Sequence, residues 1–162
     1  MAVIRAGEPR DAAALCRIYN YYIRDTVVTF EESEIDAAEM AARMVAVSAQ
    51  HPWLVREVDG AVVGYAYASP WKTRSAYRFA LETTVYLAAE HTGQGHGLVL
   101  YQALLDKLRR ANIHRAIGCI SLPNAASVGL HEKLGFRKVG QFTEVGRKFD
   151  CWIDVGYWEL VL

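Results

Sequence analysis

Apolar and polar positions recur along the chain in blocks that predict short strands alternating with amphipathic helices. Val3–Ala6 reads as a short first strand. Across Glu8–Ile23, Leu15, Ile18, Tyr19 and Tyr22 recur at i, i+3, i+4 and i+7, the stripe of a helix with one buried face. A second helix is predicted from about Asp36 to Ser48, with Met40, Met44 and Val47 on one side. Trp53–Val58 and Ala61–Trp71 are strands on either side of Asp59-Gly60, a strong two-residue hairpin signal. Phe79–Leu87 is a third long strand, followed by a glycine-rich loop and a helix from about Gly97 to Ala111. Arg115–Ser121 is another strand. The next helix has Asn124 as N-cap candidate and Gly135 as its stop. Two last strands fall near Arg137–Val145 and Val155–Leu162. Antiparallel strands first, then a strand-helix-strand-helix unit, predict a mixed α/β sheet covered by helices. No linker, charge block or repeat divides the 162 residues, so a single domain spanning 1–162 is expected.

The glycine-rich loop carries the first chemical signal. A β-branched strand runs into Gly93, Gly95 and Gly97 at alternate positions, and a helix follows at once. That is either a plain tight turn or a cradle of backbone N–H groups for a phosphate at a helix N-terminus. A nucleoside-triphosphate loop would need Gly-Lys-Ser/Thr at the helix start, whereas Gly97 is followed by Leu98 and Val99. A dinucleotide fold wants an acidic residue about twenty positions on, and none occurs between Asp106 and Glu132. ATP and NAD are therefore disfavoured, while another phosphate remains open.

Composition narrows the partners. Lys plus Arg and Asp plus Glu balance at 18 each, which argues against a broad footprint for nucleic acid or an acidic membrane. No apolar run approaches a membrane span, and Arg5, Glu8, Arg10 and Asp11 interrupt any signal-peptide core, so a cytoplasmic protein is expected. Cys16, Cys119 and Cys151 are odd in number and far apart, without a Cys-x-x-Cys pair. They are expected to be reduced and buried. His91 and His96 lack metal spacing, so no metal site is expected.

Thr92-Gly93-Gln94-Gly95-His96-Gly97 resembles the pyrophosphate loop of the GNAT family of acetyl-CoA-dependent N-acetyltransferases, [QR]-x-x-G-x-[GA]. It matches at Gly95 and Gly97 and departs at Thr92, where Gln or Arg is usual. "LPNAASVGLHEKLGF" is similar to that family's Asn-led helix ending in a Gly-Phe turn. Together with "FE", "HPWLVREVDGAVVGYAYASPWKTRSAY", "LETTVY" and "GRKFDCWIDVGYW", the chain resembles the phosphinothricin and methionine sulfoximine N-acetyltransferase branch from about Ile4 to Trp158. The resemblance implies a GNAT fold, with about six or seven mostly antiparallel strands and about four helices. It also implies acetyl-CoA as cosubstrate, a small amino acid as acceptor and a homodimer.

Strand alternation puts Glu82, Thr84 and Tyr86 on one face and Leu81, Thr83, Val85 and Leu87 on the other. A carboxylate inside a covered sheet either lies in a cleft or joins a structural ion pair. The resemblance implies that Glu82 is the general base. His131 lies seven residues after Asn124, on one helical face with Ser127 and Val128. A lone helix histidine is ordinarily structural, but the resemblance implies proton transfer here, with its direction open. By resemblance, Val85, Leu87, Thr92, Gly93, Gln94, Gly95, His96, Gly97, Asn124 and Ser127 hold acetyl-CoA, Asn124 also serving as N-cap. Lys72, Arg74 and Tyr77 occupy a loop between two strands, and a guanidinium with a phenol suits a carboxylate or phosphinate. By resemblance these join Phe30, Glu31 and Thr84 in the substrate pocket. Trp152 and Trp158 are left as core or dimer surface. The rival readings are an acetyl-CoA-binding sensor without turnover, or acetylation of another amine or a protein N-terminus.

Overall fold

A computed structural model describes residues 1–162. Its strands are β1 (Ala2–Ala6), β2 (Trp53–Val58), β3 (Ala61–Pro70), β4 (Ala80–Leu87), β5 (Arg115–Leu122), β6 (Arg137–Lys148) and β7 (Cys151–Val161). Its helices are α1 (Ala12–Asp25), α2 (Ala37–Ser48), α3 (His96–Arg110) and α4 (Ala125–Lys133). The seven strands form one sheet in the order β1-β2-β3-β4-β5-β7-β6, antiparallel at every step except β4 to β5. This is the mixed, mostly antiparallel α/β sheet that the sequence implies.

Local chemistry sets the element ends. Asp36 accepts a hydrogen bond from the Glu39 amide at 2.8 Å and Asn124 one from the Ser127 amide at 3.1 Å, so each caps its helix. Asp59 and Gly60 both have positive φ, 49° and 84°, the backbone of a two-residue turn whose twist matches the β2–β3 hairpin.

The sheet has a core on each face. Consecutive residues of β2 point opposite ways: Leu54 joins the core under α3 with Leu81, Leu104, Ala116 and Trp158. Val55 joins the core under α1 and α2 with Leu15, Ile23, Met40 and Tyr65. The same alternation in β4 turns Thr83 toward Tyr101 of α3 and Tyr86 toward Tyr19 and Tyr22 of α1.

The feature that makes a site is the single parallel step. β4 and β5 pair only at Ala80–Arg115, Leu81–Ala116 and Glu82–Ile117, and then separate. Beyond Glu82 the sheet is split, and a gap opens through it between the two strands.

Two expectations need correction. The last hairpin is longer than the alternation predicts, because its turn is Phe149-Asp150, with φ of 51° and 58° and no glycine to mark it. β6 is also exposed along most of its length, which removes the alternation that would have shown its end. Of the cysteines only Cys16 is buried; Cys119 and Cys151 are exposed on β5 and at the start of β7.

Candidate active site

A cavity of about 210 Å³ occupies the split between β4 and β5. Glu82, Thr83, Thr84, Val85 and Tyr86 line it from β4, Cys119 and Ser121 from β5, and Ser127 and His131 from α4. The segment after α1 closes it with Val28, Thr29 and Phe30. Because the opening passes through the sheet, Glu82 reaches it from the α1 face and His131 from the α3 and α4 face.

Glu82 is half-buried. Burial raises its carboxyl above the usual carboxylate range, and the Lys72 ammonium only partly opposes this. No protein donor hydrogen-bonds it, so its oxygens remain free for a ligand. A carboxylate held this way has the higher proton affinity that a general base requires.

His131 is 4% exposed, and burial lowers the proton affinity of its imidazole. Its Nδ1 lies 2.7 Å from the Ser127 carbonyl, which can only accept, so Nδ1 carries a proton. Its Nε2 lies 3.0 Å from the Tyr101 hydroxyl, which in turn contacts the Thr83 hydroxyl.

The glycine loop has the shape of an anion cradle. Gly93 and Gly95 take left-handed φ of 73° and 84°, and a Cβ added to either would meet nothing within 4 Å. α3 opens at Gly95 with no side-chain cap and no acidic residue in its first turn, so its first amides face outward without a competitor. Thr92 and Gln94 bond back to the carbonyls of Ala89 and Glu90 and brace the loop without blocking it. Gly97 packs beneath Leu87 and Leu130. His96 opens the helix, its ring 5.8 Å from that of His91. These groups fit a pyrophosphate. Asn124 spends its side-chain oxygen on the cap.

The substrate-pocket residues divide. Phe30 and Thr84 line the cavity. The Phe30 ring packs against Gly146, where a Cβ would meet it at 2.2 Å. Glu31 sits beside the cavity in a structural cluster: Arg43 grips it with two hydrogen bonds of 2.7 and 2.8 Å, and Tyr19 donates a third. Lys72 lines a neighbouring recess with Trp71, Ile117, Phe142 and Tyr157. Arg74 and Tyr77 are exposed at a 3-10 turn and do not line the cavity.

Sequence reasoning missed Tyr101, Cys119, Ser121 and the Val28–Thr29 wall. It also missed Lys148, whose ammonium is buried and donates to the Thr29 carbonyl at 2.9 Å, holding that wall in place. One signal was present. Gly118 sits inside a strand, where glycine marks a close approach, and a Cβ there would come within 2.6 Å of the His131 ring.

Comparison with known proteins places this geometry. The profile of the acetyltransferase (GNAT) domain matches residues 4–156. A phosphinothricin N-acetyltransferase of Streptomyces viridochromogenes is 39% identical over 96% of this chain and 85% of its own. An L-methionine sulfoximine/L-methionine sulfone acetyltransferase of Salmonella typhimurium is 34% identical, over 98% and 94%. The crystal structure of a phosphinothricin acetyltransferase from Sinorhizobium meliloti in complex with acetyl-CoA superposes with a TM-score of 0.96 at 32% identity, covering 99% of this chain and 88% of that one.

Proposed function

The chain belongs to the GNAT acetyltransferase family, and from that premise we propose that it transfers the acetyl group of acetyl-CoA directly to the α-amine of a small amino acid analogue. The acceptors that fit are phosphinothricin, methionine sulfoximine and methionine sulfone, the compounds named for its relatives. Acetyl-CoA supplies an activated acyl thioester. The chain's own groups do the rest.

Backbone amides from Gly93 to Leu98 hold the pyrophosphate at the start of α3, where the helix dipole favours negative charge. The unpaired edge of β4 beyond Glu82, at Val85 and Leu87, offers peptide groups to an extended arm lying in the gap. An α-ammonium entering from the α1 face meets Glu82, which takes its proton and leaves a nucleophilic amine beside the thioester. Lys72, whose ammonium acts on Glu82, is the nearest cation for the acceptor's carboxylate or phosphinate, and Arg74 and Tyr77 of the same loop would have to close on it to join. As the C–N bond forms and the C–S bond breaks, the nitrogen loses a second proton and the CoA thiolate can take one up; His131, lining the gap from the opposite face, is the group placed to pass it. No acyl-enzyme is required, since Cys119 is held as the thiol by partial desolvation at the cavity wall and by the nearby Glu82 charge.

The observation that carries this reading is the carboxylate of Glu82, free of protein donors and poised in the split between β4 and β5. CoA release is the test, with phosphinothricin, methionine sulfoximine, methionine sulfone and spermidine offered in turn. Turnover is expected on at least one of the first three and not on spermidine. Acetyl-CoA bound tightly with no turnover on any amine would favour a sensor instead. We propose that it acts in the cytoplasm and that it is a homodimer, the latter as its branch resemblance implies.

A further inference from the structure

The hydrogen bonds around His131 do not leave it facing the cavity as a free acid or base. Nδ1 is committed to the Ser127 carbonyl at 2.7 Å and Nε2 to the Tyr101 hydroxyl at 3.0 Å. Tyr101 is fully buried and contacts the Thr83 hydroxyl, which also lies 3.2 Å from the Ile117 carbonyl. Donors and acceptors can be assigned in full for each charge state of the ring.

With His131 neutral, Nδ1–H donates to Ser127 and Nε2 has a lone pair. Tyr101 must then donate to Nε2, and Thr83 donates to the Tyr101 oxygen. With His131 protonated, both ring nitrogens donate. Nε2–H then points at the Tyr101 oxygen, the tyrosine proton turns to Thr83, and the Thr83 proton turns to the Ile117 carbonyl. Every group is satisfied in both arrangements, which differ by one proton on Nε2 and by the rotation of two hydroxyls. A buried imidazolium without such a partner would be left with an unsatisfied charged donor, which is costly.

We propose that Thr83 and Tyr101 form a reversible hydroxyl relay that allows Nε2 of the buried His131 to take up the proton the acceptor nitrogen loses as its bond to the acetyl carbon forms, and to give it to the CoA thiolate as the C–S bond breaks. Tyr101 is the positioning residue in contact with the imidazole, and Thr83 supplies the second half of the relay from the strand that carries Glu82. Burial raises the proton affinity of the Tyr101 hydroxyl, and the one charge that reaches this set of groups, the Glu82 carboxylate across the gap, raises it further. Gly118 of β5 and Phe136 after α4 pack against the ring without titratable groups, Ser127 offers a neutral carbonyl from α4, and Glu82 lies on the opposite face of the sheet. The inference takes the acetyltransferase reading for the source and destination of the proton only; the relay itself is a property of the folded chain.

The test is a pH titration of ¹⁵N-histidine-labelled protein by NMR, with kcat measured in parallel, on wild type, Tyr101→Phe, Thr83→Val and Thr83→Ser. In wild type, the neutral His131 ring should carry its proton on Nδ1. Tyr101→Phe keeps the ring packing but removes the acceptor for the imidazolium. A charge-assisted bond is about twice as strong as a neutral one, so the charged state loses more than the neutral state does. The titration midpoint should fall by roughly one unit or more, and kcat by about tenfold or more, with the KM for acetyl-CoA unchanged. Thr83→Val should move the midpoint the same way by less, and Thr83→Ser should restore it.

A wild-type ring with its proton on Nε2 would overturn the relay whatever the variants do. So would an unchanged midpoint in Tyr101→Phe or, if that variant does not fold, in Thr83→Val. The expected midpoints in a protein that turns over none of the amines would uphold the relay and sink the acetyltransferase reading, so the two failures are distinct.

Discussion

Glu82 and His131 are both displaced from their ordinary proton affinities by burial, and in opposite directions. For Glu82 the shift is upward from 4.5, so the folded state holds the proton more strongly than the unfolded state does. Its contribution to stability is present below about pH 4.5 and is lost as pH rises through the folded value, so near neutrality the charged group strains the fold. Glu82→Gln should therefore melt at a higher temperature than wild type at pH 7, with the difference shrinking toward zero below pH 4.5. Differential scanning calorimetry across that range checks it. For His131 the shift is downward from 6.5, so stability falls as pH drops from about 6.5 toward the folded value. A carboxylate that costs stability where it stands is what the proposed role of Glu82 as base entails. A structural ion pair such as Arg5–Asp11, in which the guanidinium holds the carboxyl below its usual range, behaves the other way.

At the scale of elements, the proposed function depends on two junctions, the β4–β5 split and the loop entering α3. Gly95 has φ of 84°, a conformation that an L side chain adopts at a cost of about 1 kcal/mol, although a methyl there would meet no neighbour. Gly95→Ala should thus distort the amide cradle and raise the KM for acetyl-CoA several-fold, while kcat at saturation stays near wild type; steady-state kinetics decides. Most of these elements were legible in the sequence. Helical stripes, the Asp59-Gly60 turn, the Asn124 cap and the alternation of β4 all rest on local periodicity or turn chemistry, and each element lies within a few residues of its expected place. The β6–β7 turn was not legible, because Phe149 and Asp150 adopt positive φ without glycine. Nor was the split itself, since where two parallel strands part depends on what packs between them and not on either strand's pattern. Of the site residues, Glu82 stood out mid-strand and His131 on a helical face, but the pattern left both open and their roles came from the family resemblance. Tyr101 was hidden in the apolar stripe of α3, among Leu100, Leu104, Leu105 and Leu108, where a buried hydroxyl looks like core. Lys148 was hidden because nothing local marks a lysine destined for burial.

At the scale of the whole molecule, the two faces of the sheet are unequal. α1 and α2 cover β2 to β4 on one side, and the same face of β5, β7 and β6 carries no helix. Val139, Phe142, Val145, Phe149 and Trp152 remain exposed on the β6–β7 hairpin, whereas Trp158 is core. Phe142, which lies with Val155 and Tyr157 on the helix-free face, marks the surface expected to be covered by a second copy in the proposed homodimer. Light scattering in solution should accordingly give twice the 18.1 kDa chain mass, and a single-chain mass would refute the dimer. The catalytic account asks more of the molecule: one opening through the sheet must bring a thioester and an amine together, with Glu82 on the amine's side. Single-turnover CoA release tests this most directly, at saturating acetyl-CoA and the best amine, on wild type and Glu82→Gln. The account predicts a loss of at least about a hundredfold in the variant, the scale of removing a general base, with acetyl-CoA binding intact. A variant that releases CoA at the wild-type rate would contradict it.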